Sequence, residues 1–303
     1  MLEMRHVTKI FNPGTVDEKI ALNDLSFTLN DGDFVTVIGG NGAGKSTMQN
    51  AICGTWLPDA GEILLDGIDL SSLSEHQRAK YLGRVYQDPM TGTAAGMQIE
   101  ENLALAARRG LRRTLRPGIR KSEREEYRQR LQELGLGLDT RLSAKVGTLS
   151  GGQRKRVALA AVLLHPADVL ILDEPTNHLD SDMVLWLEDR LRKFNGGLIM
   201  VTHDRYFLER VCNRITELSH CHIRHYEANY SKYLAIKTQQ EEREQAAQRK
   251  RQSILRVEYQ WIMRGAQARR TKNKDRIARY EALKAQTGPE TDGAVQMATL
   301  SSR

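Results

Sequence analysis

The stretch Gly39-Gly40-Asn41-Gly42-Ala43-Gly44-Lys45-Ser46-Thr47 decides how this chain is read. It follows the apolar run Phe34-Val35-Thr36-Val37-Ile38, a strand pattern, and completes a G-x-x-x-x-G-K-S match. Glycines let a backbone wrap a polyphosphate so that successive N–H groups face its oxygens. Lys45 adds a point charge for the β- and γ-phosphates, and Ser46 a hydroxyl for Mg²⁺. A helix starting at Lys45 brings its positive end to the same place. A glycine turn alone also serves as a plain strand–helix connection; the Lys-Ser pair and the strand in front favour phosphate.

Outward from that loop, Val169-Leu170-Ile171-Leu172 and Gly197-Leu198-Ile199-Met200-Val201 read as two more buried strands. Residues 1–230 thus alternate strands and helices, the pattern of an α/β domain with a largely parallel sheet. Residues 2–7 and 25–29 alternate more weakly, as an added antiparallel layer does, and residues 100–134 turn helical and Arg-rich, an insertion. The second strand ends in Asp173-Glu174. A strand-end carboxylate beside a phosphate loop suits Mg²⁺, and Glu174 is then placed to polarise an attacking water. His203, after the strand ending Val201-Thr202, sits at the same sheet edge, although a lone histidine is more often structural. Leu149-Ser150-Gly151-Gly152-Gln153 opens a helix, an arrangement that binds an anion or simply caps the helix.

With 303 residues, 40% hydrophobic and 27% charged, the chain has enough apolar material for a real core, which excludes a disordered protein. No run approaches the roughly 18 apolar residues of a spanning helix, so no membrane insertion of its own is expected. Cys53, Cys212 and Cys221 are odd in number and irregular in spacing, as in reduced thiols of a cytoplasmic protein. The net charge of +7 is concentrated: residues 231–285 hold 15 Lys/Arg against 6 Asp/Glu. From residue 229 to 285 there is no proline and only Gly265 interrupts, which predicts a basic helical hairpin turning near residues 263–270. Arg264, Arg269, Arg270, Lys272, Lys274 and Arg276 cluster there, for a polyanion such as nucleic acid or as a solvated face. Residues 286–303 read as a flexible end. Ser219-His220-Cys221-His222-Ile223-Arg224-His225 suggests zinc, but on a strand Cys221 faces away from His220 and His222, so a surface strand is expected.

The ordered set Lys45, Gln87, Ser150-Gly151-Gly152-Gln153, Asp173-Glu174, Asp180 and His203 resembles an ATP-binding cassette (ABC) ATPase over about residues 1–228. The resemblance implies a P-loop NTPase fold: a parallel sheet core, an antiparallel β layer and a helical subdomain at about 99–165, here followed by the basic hairpin at 229–285. It implies ATP and Mg²⁺ as cofactors, with Gly39 through Thr47 around the phosphates, and Ser46, Gln87 and Asp173 at the metal. Phe11 would stack on adenine, an aromatic that equally suits covering the sheet edge. Glu174 resembles the catalytic carboxylate, His203 the switch histidine, and Lys45 completes the catalytic set. Ser150, Gly151, Gly152 and Gln153 would close over ATP on an opposite cassette, with Asp180 coupling the two sites.

The finer resemblance divides. Residues 1 to about 150, notably 11–15 and 87–95, resemble the ATPase subunit of a bacterial importer. From Arg154 on, residues 173–180 and 201–208 resemble the ABC-F branch, soluble proteins that act on ribosomes. Residues 229–233 and 261–272 are similar to the basic linker between two ABC-F cassettes, which reaches toward ribosome-bound tRNA. The implied partners are a second cassette, as a homodimer or missing tandem domain, and ribosome or tRNA. Transporter membrane subunits are the alternative, and a single-cassette fragment or chimera is the third reading.

Overall fold

The structure, a computed structural model, describes residues 1–111, 118–133, 135, 137–164, 167–219, 222–263 and 278–282. The chain divides into two units, Met1–Tyr230 and Ser231–Arg303. In the first, β1 (Leu2–Phe11) and β2 (Lys19–Leu29) pair antiparallel, β3 (Phe34–Ile38) leads into α1 (Lys45–Cys53), and β4 (Ala60–Leu65) and β5 (Ile68–Asp69) follow. A short α2 (Glu75–Arg78) precedes β6 (Leu82–Val85), and then come α3 (Ile99–Ala107), α4 (Lys121–Glu133) and α5 (Gly151–Leu163). Strands and helices alternate again through β7 (Val169–Asp173), α6 (Ser181–Arg192), β8 (Gly197–Val201) and α7 (Arg205–Val211), ending in the hairpin β9 (Arg214–Ser219) and β10 (His222–Tyr226). The long helix α8 (Tyr230–Met263) makes up most of what is described of the second unit, with residues 278–282 also helical.

Six strands form the main sheet in the order β10-β9-β3-β8-β7-β6, parallel throughout except for β10. A parallel sheet is covered on both faces, which is why its strands are continuous apolar runs. Val169, Leu170, Ile171 and Leu172 accordingly all lie buried. The second sheet, β2-β1-β4-β5, is antiparallel and alternates: along β2, Leu25, Phe27 and Leu29 turn inward and the residues between them face out. These side chains share one core with Val35 and Val37 of β3 and Met48 and Ile52 of α1, so α1 lies between the two sheets. A separate cluster, with Ile99, Leu103, Tyr127, Leu131, Leu149 and Val157, holds α3, α4 and α5 together. Each such buried side chain contributes about 1.5–3 kcal/mol.

The far end of α1 is tied down by Arg78, whose wholly buried guanidinium donates to the Ala51 and Ile52 carbonyls at 2.6 and 2.8 Å and to Leu73 at 2.8 Å. A cation at a helix C-terminus satisfies carbonyls that have no partner within the helix. The near end of α1, its N-terminus, is left facing the carboxyl ends of β3, β7 and β8. Open parallel sheets bind ligands at that edge.

The expected strands at 34–38 and 197–201 coincide with β3 and β8, and the one at 169–172 extends to Asp173 as β7. The antiparallel layer runs further than expected, to Phe11 in β1 and back to Lys19 in β2. Strands β4, β5, β6 and β9 were not marked by the sequence. The turn expected at 263–270 falls, after Met263, outside the described residues. Arg264, Arg269, Arg270, Lys272, Lys274 and Arg276 are outside them too, as are His220 and Cys221.

Candidate nucleotide site

The loop from Gly39 to Gly44 leaves β3 and opens α1. Two glycines there have a stated reason. At Gly44 φ is +102°, and an added Cβ would stand 2.6 Å from the Ala21 carbonyl oxygen; at Gly39 a Cβ would fall onto the Leu218 carbonyl. Ala43 closes the turn by donating to the Gly40 carbonyl at 3.2 Å. Lys45 folds back and donates to the Gly39 and Gly40 carbonyls at 2.7 and 2.9 Å. A solvent-facing Lys45 is what a bare loop would suggest; the structure instead places it half-buried and bonded. Burial lowers the pKa of its ammonium, an effect that the charges of Asp173 and Glu174 partly offset.

Beside the loop lies a cleft of about 450 Å³, lined by Asn41, Gly42, Gly44, Lys45, Ser46 and Thr47 on one side and by Gln87, Asp173, Glu174 and His203 on the other. The sequence-predicted phosphate and acid residues therefore converge, except that Gly39, Gly40 and Ala43 do not line the cleft. Phe11 also lines the cleft, but its ring meets Trp56 edge-on, with centroids 4.7 Å apart. Four lining residues were not named as site residues from the sequence, Lys19, Ala21, Asn177 and Val201. Lys19 sits directly across the β1–β2 pair from Phe11, so strand register puts a cation beside the aromatic. Nothing in the alternation of β2 marks it as a site residue.

The acid end has a strained backbone. Glu174 follows β7 with φ +43°, a region that side chains other than glycine rarely occupy, and such strain collects at functional sites. Its N–H donates to the Val201 carbonyl at 2.8 Å, tying it to β8. The side chain of Glu174 is 9% exposed and that of His203 63%, with Oε1 3.5 Å from Nε2. The His203 N–H also donates to the same carboxylate, at 3.4 Å. Burial raises the Glu174 pKa, against the lowering effect of His203 and of the Thr202 hydroxyl. Asp173 is raised as well, again by burial, with Arg84, Lys155 and Lys45 pulling the other way. Two carboxyls held short of full compensation are a place where a cation is welcome.

Ser150, Gly151, Gly152 and Gln153 do not line this cleft, and neither does Asp180. Ser150 caps α5: its hydroxyl accepts from the Gln153 N–H at 3.3 Å while the Gln153 amide accepts from the Ser150 N–H at 3.2 Å. Asp180 caps α6, accepting from the Met183 N–H at 3.2 Å, and pairs with Arg156 at 2.9 Å. The two caps are neighbours, since a Cβ on Gly152 would stand 2.7 Å from the His178 carbonyl oxygen. Sequence reasoning also missed Lys155. In Arg154-Lys155-Arg156 it reads as one of three surface charges, yet it is wholly buried, and burial pulls its ammonium down to about 8.

A family model described as ABC transporter matches residues 22–177, a little over half of the chain. The chain belongs to the ABC transporter family. ABC cassettes are ATPases, and residues 22–177 fall within the unit that carries the cleft. A second ABC transporter model matches residues 216–297. The chain is 36% identical over 319 residues to the uncharacterized ABC transporter ATP-binding protein YfmR of Bacillus subtilis, across 95% of this chain and 48% of that protein. It is 32% identical to the energy-dependent translational throttle protein EttA of Mycobacterium tuberculosis, across 89% of this chain and 50% of that protein. The chain thus spans about half the length of the curated relatives it matches. Among solved structures, a dimeric bacterial ABC transporter cassette superposes with TM-score 0.64 at 26% identity, covering 75% of this chain and 98% of that one. A post-hydrolysis state of the same cassette, bound to ADP and Pi, gives TM-score 0.64 at 27% identity, again over 75% and 98%. Among the described residues no helix is long and apolar enough to cross a membrane.

Proposed function

We propose that this ABC cassette binds ATP with Mg²⁺ in the cleft and hydrolyses it as half of a paired site, serving a factor that acts in translation. The observation that carries the chemistry is the convergence of Lys45, Ser46, Gln87, Asp173, Glu174 and His203 on one cleft of about 450 Å³. The loop N–H groups and Lys45 take the phosphates, while Phe11 and Lys19 form the wall for the rest of the nucleotide. Ser46, Gln87 and Asp173 offer oxygen donors. That set with a single carboxylate suits Mg²⁺, which is commonly held by one or two carboxylates and by substrate phosphates. Mg²⁺ bound there would neutralise charge developing on the transferred phosphoryl group. Glu174, kept in place by β8 and by the His203 N–H, orients and polarises the attacking water. His203 lines the cleft with a largely exposed ring and would meet the terminal phosphate there. Catalysis is thus largely positioning and electrostatics.

Ser150, Gly151, Gly152 and Gln153 do not line the chain's own cleft, which supports their service to ATP held by a second cassette. The dimeric cassette among the solved relatives is in line with that. Glu174→Gln protein is expected to dimerise on addition of ATP and Mg²⁺, and Ser150→Arg, which puts a bulky cation on the cap, is expected to prevent it. Light scattering reads the outcome; a monomer under all conditions would count against pairing.

The role in translation is supported by the relative named as a translational throttle and by the charge of residues 231–285. We take residues 1–228 as the cassette and 229–285 as a basic arm that contacts RNA. Each phosphate contact releases counterions, so binding is expected to weaken steeply as salt rises. Changing Arg269, Arg270, Lys272 and Lys274 together to Glu should abolish sedimentation with ribosomes at low salt and leave basal ATPase nearly unchanged. A second reading, the ATP-binding subunit of a transporter, is favoured by the bacterial transporter cassette among the structural relatives. If the quadruple variant sediments with ribosomes as the parent does, or the parent sediments with membranes instead, that reading replaces the first.

A further inference from the structure

Lys155 is wholly buried in α5, one and a half turns from the Ser150 cap, and has no role in the chemistry above. Its Nζ donates to the Tyr86 carbonyl at 2.9 Å and lies 3.4 Å from the Gln87 carbonyl and 3.5 Å from that of Asp173. All three are main-chain acceptors. Two belong to the loop that leaves β6 and the third to the end of β7. Taking an ammonium out of water costs several kcal/mol even after relaxation. A charge buried among carbonyls is therefore an expensive way to fill space, and an apolar side chain of the same length would fill it without that cost. What the ammonium alone supplies is three donors that converge on two separate backbone segments.

We infer that Lys155 is a positioning residue for the Mg²⁺–nucleotide site, clamping the backbone that carries Gln87 to the backbone that carries Asp173. The inference rests on the reading of the cleft given above. Gln87 and Asp173 project into that cleft from two different elements, and their relative placement is set by how the loop after β6 sits against the end of β7. Strand pairing ends at Val85 and Leu172, so the ladder itself does not hold the two residues together. Lys155 bridges the gap one step beyond the last pair. Because it does so from α5, it also links that placement to the helix whose first turn is the Ser150 cap. Changing groups that orient metal-holding residues without touching the metal typically costs about 10–100-fold in metal affinity.

The test uses the full chain with a fluorescent ATP analogue, titrated in EDTA and then with increasing Mg²⁺, together with thermal melting. Lys155→Met is expected to keep the nucleotide affinity measured in EDTA within about twofold and to raise the Mg²⁺ concentration for half-maximal response about tenfold. Lys155→Arg, which restores donors and charge, should recover most of the Mg²⁺ response. Should Lys155→Met fail to fold, Lys155→Gln keeps two donors without the charge and is expected to shift the Mg²⁺ response in the same direction. An unchanged Mg²⁺ midpoint in either folded variant overturns the inference. A parent protein with no Mg²⁺ response at all fails differently: it removes the Mg²⁺ site itself, and the inference with it.

Discussion

Glu174→Gln is expected to bind ATP as the parent does and to hydrolyse it roughly 10²–10⁴ times more slowly, the range for losing a positioned base. The amide keeps the shape and one acceptor oxygen, so the His203 N–H that now donates to the carboxylate retains a partner. What is lost is the negative charge that polarises water. Burial raises the Glu174 pKa against the lowering effect of His203, so the acid limb of the parent's ATPase profile should lie above that of an ordinary glutamate. The sign carries over to stability. A carboxyl whose pKa is higher folded than unfolded binds more protons in the folded state, so it costs stability once pH has risen through the folded value. The Gln variant should therefore melt at or above the parent near neutral pH, and the difference should fade as pH falls below the unfolded value. Steady-state ATPase at the parent's rate would remove Glu174 from the mechanism.

How much of this was legible in sequence depends on what each element buries. Strands β3, β7 and β8 are covered on both faces, so they appear as unbroken apolar runs with clear ends. Strand β6, Leu82-Gly83-Arg84-Val85, is an edge strand whose Arg84 side chain donates to the Asn50 amide oxygen at 2.6 Å, and that charge hides the strand. In β9, Arg214 and Glu217 break the pattern in the same way, Arg214 reaching Asp33 at 2.8 Å. The phosphate loop, the acid pair and the Ser150 helix cap were readable because each needs particular residue types at fixed spacing, whereas the capping role of Asp180 was not read. Lys155 was not read, although a signal existed. On a helix it shares a face with Ala158, Leu159 and Val162, all buried, so a charge at that place in the stripe had to be paired inside. Lys19 offered no such signal, because strand register alone brings it beside Phe11.

Replacing Lys45 with Ala is expected to weaken ATP binding by about 1.5–3 kcal/mol, or roughly tenfold to a hundredfold in Kd. In the free protein the ammonium is already engaged with the Gly39 and Gly40 carbonyls, so binding exchanges those acceptors for phosphate oxygens. Charge-assisted bonds to phosphate are the stronger of the two, and the exchange is favourable by their difference. The fold of the free protein should change little, for two opposing reasons. The variant loses two hydrogen bonds that steady the loop. It also sheds an ammonium whose lowered pKa shows that burial disfavours its charge, an unfavourable contribution at every pH below the folded value. The clearest readout is therefore ligand-induced stabilisation, which grows with the logarithm of ligand concentration over Kd. At saturating ATP the variant should gain about 1.5–3 kcal/mol less than the parent, the same difference as in binding. Combined with Glu174→Gln the two effects should separate, one lowering affinity and the other turnover. Equal stabilisation of Lys45→Ala and parent by ATP would mean that the glycine loop holds no phosphate, and the cleft would need another ligand.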